Sequence, residues 1–170
     1  ENQRAIQDYD KAIQLDPNYT FAYYNRGNAY GALGENQRAI QDYDRAIQLD
    51  PNYTFAYFNR GWAYYNLGEH QRAIEDYDKA IQLDPNNAIA YSKRGVAYGY
   101  LGQHQRAIKD SDKAIQLDPN YAEAYTNRAN SYYDLNEHQR AIENYDKAIQ
   151  LDPNNAITYS NRGYAYQALA

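Results

Sequence analysis

A heptapeptide, Ala-Ile-Gln-Leu-Asp-Pro-Asn, returns five times in this 170-residue chain and places Pro17, Pro51, Pro85, Pro119 and Pro153 at a constant spacing of 34 residues. A unit this short cannot enclose a core of its own. Its apolar face must be buried against the next unit, so the product is an open stack with a long exposed surface and no closed catalytic pocket. Charge narrows the partners: 17 Lys plus Arg against 22 Asp plus Glu give a net charge of -5, which argues against a nucleic-acid backbone. No apolar run approaches the roughly 20 residues that span a bilayer, and no leader pattern opens the chain, so no membrane partner is expected. The absence of cysteine removes disulfides and thiolate metal sites and leaves the compartment open. Starting without Met inside one repeat and ending inside another, the chain reads as an excised segment.

Within one period the signals alternate between two helices. From Tyr53 to Leu67, residues Ala56, Tyr57, Gly61, Tyr64 and Leu67 fall at helical spacing, and Gly68 follows as a left-handed C-terminal cap; this is helix A. Asn136 takes the cap position in a later repeat, as the next best residue at positive φ. Helix B is expected from about Gln71 to Leu83, with Ala73, Ile74, Tyr77, Ala80 and Ile81 on one stripe and Arg72, Glu75, Asp78 and Gln82 facing away. Pro85 disfavours the α conformation at Asp84 and turns the chain into the next helix A. The phase gives a lone helix B over 1–19, full repeats over 20–53, 54–87, 88–121 and 122–155, and a lone helix A over 156–170.

The alternation of bulky, small and aromatic residues on helix A, followed by Ala, aromatic, Ala and Pro through helix B, resembles the tetratricopeptide repeat over nearly the whole chain. The second window reads Tyr23, Gly27, Tyr30, Ala39, Tyr43, Ala46 and Pro51, and the third Tyr57, Gly61, Tyr64, Ala73, Tyr77, Ala80 and Pro85. The fourth reads Tyr91, Gly95, Tyr98, Ala107, Ser111, Ala114 and Pro119, and the fifth Tyr125, Ala129, Tyr132, Ala141, Tyr145, Ala148 and Pro153. The resemblance implies an all-α, right-handed superhelical solenoid of antiparallel helix pairs that acts as a protein-interaction scaffold. Two departures stand out. Ser111 replaces an aromatic and should leave the local packing thinner, and Arg26, Arg60, Arg94, Arg128 and Arg162 stand where the family commonly has Leu.

Mid-helix Gly27, Gly61, Gly95 and Gly163 mark places where helix B should approach closely, because such a Gly otherwise costs about 1 kcal/mol relative to Ala. The recurring Arg needs a carboxylate or carbonyls to offset its desolvation; Asp42, Asp76 and Asp110, or the Asp ending each helix B, are the candidates.

Comparing the repeats with one another locates the variable stripe on helix A, which in this family lines the concave groove. It carries Phe55, Phe58, Trp62 and Tyr65 in the third window and Tyr100 in the fourth, with Asn28 in the second. The cluster Phe55, Phe58 and Trp62 is left over once the signature residues are buried, and exposed aromatics of this kind mark binding surfaces. Beside it runs Asn25, Asn59, Lys93, Asn127 and Asn161, one residue per repeat. A carboxamide donates and accepts at once, and helices about 9–10 Å apart match roughly three residues of extended chain, so this row suits a peptide backbone of any sequence. The row resembles the asparagine ladder in the repeat superhelix of O-GlcNAc transferases, interrupted at Lys93; the bland alternative is a solvated polar edge.

A carboxylate clamp of the kind that grips acidic chaperone tails would match Asn28, Asn59 and Lys93, but Tyr24 and Ile89 stand at its other basic positions and remove most of the charge. His70, His104 and His138 recur once per repeat, too far apart to share a metal, and read as surface residues. No catalytic motif, metal site or cofactor site is expected. The sequence therefore predicts an extended peptide or protein segment as partner. Two alternatives stay open: a structural assembly by head-to-tail stacking of the end faces (Ile6, Tyr9 and Ile13 at one, Tyr159, Tyr166 and Leu169 at the other), and a consensus-like engineered array without a natural ligand.

Overall fold

The computed structural model describes residues 1–169 and contains, among these, ten helices joined by short turns. They are α1 (Asn2–Leu15), α2 (Thr20–Ala32), α3 (Asn36–Leu49), α4 (Thr54–Asn66), α5 (His70–Leu83), α6 (Ala88–Tyr100), α7 (His104–Leu117), α8 (Ala122–Asp134), α9 (His138–Leu151) and α10 (Ala156–Leu169). The even-numbered helices are the A helices and the odd-numbered ones the B helices. The expected helix over Tyr53 to Leu67 is shorter by one residue at each end, where Tyr53 and Leu67 serve as caps, and helix B opens one residue early at His70. Ala170, the last residue of the expected terminal helix, lies outside the described residues.

Each boundary has a local cause. After α2, α4, α6 and α8 the chain reverses through Gly34, Gly68, Gly102 and Asn136, all at positive φ. At the first of the four, Gly34 N–H donates to Gly31 O and Glu35 N–H to Tyr30 O, and the other three repeat the pattern. These paired bonds satisfy the last carbonyls of each A helix. At the far end of each repeat, Asp16, Asp50, Asp118 and Asp152 leave the helix before Pro and accept from the backbone N–H two residues on, at 3.0 to 3.3 Å. Such Asx turns hold the reversal in place. The Tyr23, Tyr57 and Tyr125 hydroxyls then tie the next A helix back to the Pro carbonyl of the turn.

Two compact units divide at Pro85 and Asn86. In the first, consecutive helices from α1 to α5 pack on one another and α2 also meets α4; in the second, the same holds from α6 to α10, with α8 meeting both α6 and α10. The first core gathers Ile6, Tyr30, Ile40, Tyr43, Tyr64 and Tyr77 around small alanines. The second gathers Ile108, Tyr132, Ile142 and Tyr145. The small positions work as expected where a B helix follows. A Cβ on Gly27 would lie 2.8 Å from the Tyr43 ring, and one on Gly61 would lie 3.1 Å from the Tyr77 ring and 3.2 Å from Ala73 O. Gly163 departs from the expectation: no described atom comes within 4 Å of a Cβ there.

Candidate functional site

The recurring arginines are structural, and two of them, Arg26 and Arg60, each hold a pair of carboxylates. Arg26, on α2, donates through Nε and Nη2 to both oxygens of Asp42 on α3, at 2.8 and 2.6 Å, and through Nη1 to Asp10 on α1. Arg60 repeats the fork with Asp76 on α5 and Asp44 on α3. Arg94 grips Asp110 in the same bidentate way. Bidentate pairing is the strong form of this contact, and the hydrogen bond to Asp42 raises Arg26 above the ordinary guanidinium value. The sequence had pointed to Asp42, Asp76 and Asp110; Asp10 and Asp44 were missed, although they stand 16 residues before the Arg as the others stand 16 after. In the fifth repeat Asn144 replaces the buried Asp, and Arg128 donates to its Oδ1 at 2.7 Å while keeping Asp112.

In the first unit, the variable stripe on α2 and α4 sorts into three settings. Trp62 is 41% exposed and stacks on Tyr65, with ring centres 5.3 Å apart and planes 14° from parallel. Phe55 is exposed at the start of α4 and joins an edge-to-face string that runs from Tyr19 through Phe21 and Tyr53. Phe58 does not stand out from the surface with them. It is half-buried, its ring 5.6 Å from that of Tyr77, and it packs against the core.

Below Trp62 lies a cleft of about 260 Å³ lined by Asn28, Gly31, Ala32, Asn36, Tyr43, Asn59, Trp62, Ala63 and Asn66. Its lining carries four carboxamides and no charged side chain. A shared hydrogen bond organises it: Asn28 Oδ1 accepts from the Tyr43 hydroxyl at 2.8 Å and from Asn59 Nδ2 at 2.8 Å, and Asn59 Nδ2 also donates to the Tyr24 hydroxyl at 3.1 Å. Burial pushes the Tyr43 hydroxyl well above the ordinary phenol range, so it stays a donor. Asn36 was missed from sequence. It occupies the place that His takes in the three later repeats, and that difference was the available signal.

Three members of the Asn row, Asn59 among them, thus bind helix to helix. Within the second unit, Asn127 Nδ2 donates to Ser92 Oγ at 3.0 Å, and Asn161 Nδ2 to Asn130 Oδ1 at 3.1 Å, where the Tyr145 hydroxyl also donates at 2.7 Å. Lys93 Nζ pairs with Glu123 at 2.7 Å. Asn25 is half-buried on α2 outside the cleft lining, and Tyr100 is exposed at the end of α6. One tyrosine breaks the pattern. Tyr77 is fully buried and its hydroxyl has no hydrogen-bond partner, because Trp62 stands where Asn28 and Asn130 stand in the other repeats.

The histidines are less exposed than expected. All three are half-buried, with His70 against Tyr65 and His138 against Tyr133 at 5.3 and 5.1 Å between rings. Among the described residues no group of three or more His, Cys, Asp or Glu is placed to hold a metal ion, and no helix is long and apolar enough to cross a membrane.

The tetratricopeptide repeat model matches residues 20–53, 54–87 and 88–121, with related repeat models over 1–34, 112–143 and 129–169. The chain belongs to the tetratricopeptide repeat family. Comparison with curated protein sequences gives no match. Among solved structures, this tetratricopeptide repeat array is similar to MamA, at 29% identity and a TM-score of 0.83 over 89% of this chain and 88% of that one. It is similar to the first repeat domain of Spaghetti (RPAP3) bound to the HSP90 peptide SRMEEVD, at 28% identity and a TM-score of 0.66 over 68% of this chain and 92% of that one. YrrB, described as having an unusual peptide-binding site, shares the fold at 24% identity and a TM-score of 0.77 over 94% of this chain and 82% of that one. The array is a protein-interaction scaffold, all-α in architecture.

Proposed function

We propose that the first unit binds an extended, uncharged peptide segment across α2 and α4, with Trp62 as anchor and Asn28 and Asn59 holding the backbone. The observation that carries this reading is the cleft itself: four carboxamides under one indole, without a charged side chain in the lining. With Asn28 Oδ1 taken by two donors, its Nδ2 is left to donate to a peptide carbonyl. The Asn59 amide donates within the fold, so its Oδ1 accepts from a peptide N–H. Tyr65 stacks on the indole, which keeps 41% of its surface exposed for contact with the ligand. Phe55 and Asn25 supply secondary contacts on α4 and α2, and Lys93, Tyr100, Asn127 and Asn161 supply contacts on the A helices of the second unit. The peptide complex of the similar RPAP3 domain supports a segment as ligand. An acidic tail like that one is disfavoured here, because the cleft lining offers it no cation.

Trp62 is the single tryptophan of the chain, so its emission reports on this site alone. A peptide selected from a random library against the protein should shift or quench that emission. W62A should weaken its binding by at least tenfold, in line with a loss of about 1.4 kcal/mol or more for a buried aromatic anchor. F58A should instead lower the melting temperature, since Phe58 packs on Tyr77. A tight-binding peptide that leaves the emission unchanged and is indifferent to W62A would refute the assignment.

A further inference from the structure

The cleft under Trp62 lies where sister repeats place a pair of rings. In the third repeat Tyr65, near the end of its A helix, holds its ring 5.3 Å from that of His70 at the start of the following B helix. In the fifth, Tyr133 and His138 repeat the contact at 5.1 Å. The second repeat has Gly31 and Asn36 at these two places, and both line the cleft of about 260 Å³. Packing does not demand the glycine. A Cβ on Gly31 would lie 3.8 Å from the Tyr43 hydroxyl, an ordinary contact, whereas on Gly27, one turn earlier, it would run into the Tyr43 ring at 2.8 Å. A helical glycine is unfavourable relative to alanine, so Gly31 keeps space open where no close contact requires it.

The end of the cleft left open in this way is polar. Asn36 opens α3, Asn66 closes α4, and both belong to the lining. In the second unit the same two places carry His104 and Asp134, whose Nδ1 and Oδ2 stand 3.5 Å apart, so side chains there come within reach of one another. The Asn36 and Asn66 carboxamides take part in no hydrogen bond among the described residues. Each therefore offers a donor and an acceptor to whatever enters. The charges near them in the chain are already paired, Glu35 with Arg38 at 2.6 Å and Glu69 with Arg72 at 2.7 Å. The entrance is open to solvent, since Trp62, Ala32 and Asn66 are all exposed.

We infer that this end of the cleft is a side-chain pocket for a glutamine of the bound segment. The inference rests on the peptide reading above, in which Asn28 and Asn59 hold the backbone. Asn59, Trp62 and Asn66 follow one another along α4 at about 1.5 Å per residue, which puts Asn66 roughly 10 Å beyond Asn59 with the indole between them. The glutamine stem lies on the indole, and its carboxamide reaches Asn36 and Asn66, donating to one and accepting from the other. A neutral head that both donates and accepts is what selects the residue. Glutamate or lysine would bring a charge into a lining that has none to offset it, and leucine would cover the two carboxamides and leave them unsatisfied. Asparagine lacks the methylene that carries the head past the indole.

The test uses short capped peptides, acetyl-Ala-Ala-Xaa-Ala-Ala-amide with Gln, Leu or Glu at Xaa, titrated into the protein and followed by nuclear magnetic resonance. The Gln peptide should shift the side-chain amide resonances of Asn36 and Asn66 and bind several-fold more tightly than the Leu and Glu peptides. G31Y/N36H, which restores the ring pair of the third repeat, should weaken Gln binding at least tenfold. N36A/N66A keeps the space and removes both carboxamides, so it should bind the Gln and Leu peptides with equal affinity; this arm decides the matter even if the ring-filling variant fails to fold. Leu or Glu binding as tight as Gln, a Gln preference that survives in N36A/N66A, or Asn36 and Asn66 resonances unmoved up to the solubility limit of the Gln peptide would each overturn the proposal. A library-selected peptide that changes Trp62 emission without preferring Gln defeats this pocket alone, whereas tight binding that leaves the emission unchanged defeats the groove reading, so the two failures give different signals.

Discussion

Tyr43 and Tyr77 form a built-in pair of hydroxyls in equivalent places with opposite fates, so removing each predicts opposite signs. The Tyr43 hydroxyl donates to Asn28 Oδ1; that of Tyr77 is buried without a partner. Y43F deletes one hydrogen bond while Asn59 continues to satisfy Asn28, and such a loss costs about 1 kcal/mol. Y77F deletes a polar atom that lost its water on folding and found nothing in exchange, so it should stabilise by about 1 kcal/mol, the low end of that desolvation penalty. The two variants should therefore differ by about 2 kcal/mol. For a chain of this length each kcal/mol moves the melting temperature by roughly 2–4 °C, which places Y43F below the parent and Y77F above it by about that amount. Thermal melts followed by far-UV circular dichroism, with urea titrations at matched slope, read the difference directly. If Y77F melts as far below the parent as Y43F, the Tyr77 hydroxyl has a partner in solution and the argument fails.

The Arg fork predicts unequal costs for its two sides: R60A leaves Asp76 buried without its counter-charge and should cost about 3–5 kcal/mol, whereas D44A removes a partly exposed partner and should cost about 1 kcal/mol or less. Equal costs in denaturant titrations would refute the distinction. The glycines divide similarly, since G61A forces a Cβ against Tyr77 and Ala73 O and should lower the melting temperature, while G163A meets open space and should raise it through helix propensity worth up to about 1 kcal/mol. A destabilised G163A would show an atom near it that the structure does not contain.

The fold was legible because its determinants are local and repeated. Gly68 and Asn136 announce their own left-handed caps, and Pro85 ends α5 by sterics within one residue. What sequence could not resolve was direction at close range. Phe58 and Trp62 both fall on the variable stripe, yet the first turns down onto Tyr77 and the second stays out against Tyr65, a choice made by neighbours on other helices. The Asn row was read as facing a ligand; that three of its amide groups also reach a partner on the preceding A helix was not legible, because it depends on that helix presenting Asn28, Ser92 and Asn130 at the reachable height. The histidines were read as surface residues because nothing in their spacing signals the Tyr rings that His70 and His138 lie beside.

The two arms of the Arg fork live in different dielectric surroundings, and they do different jobs. The inner arm, to Asp42 or Asp76, joins helices A and B of one repeat, and its carboxylate is only 7% exposed. The outer arm, to Asp10 or Asp44, joins that repeat to the one before it and is about half exposed. An exposed ion pair weakens as ionic strength rises, and a buried one is screened much less. Rising salt therefore loosens the link between successive repeats while the hairpins themselves keep their strength. In a linear array the balance between those two quantities sets how many repeats unfold together, so ionic strength acts on the cooperativity of the array, and added salt should broaden its melt slightly, by the loss of about 1 kcal/mol or less at each outer arm.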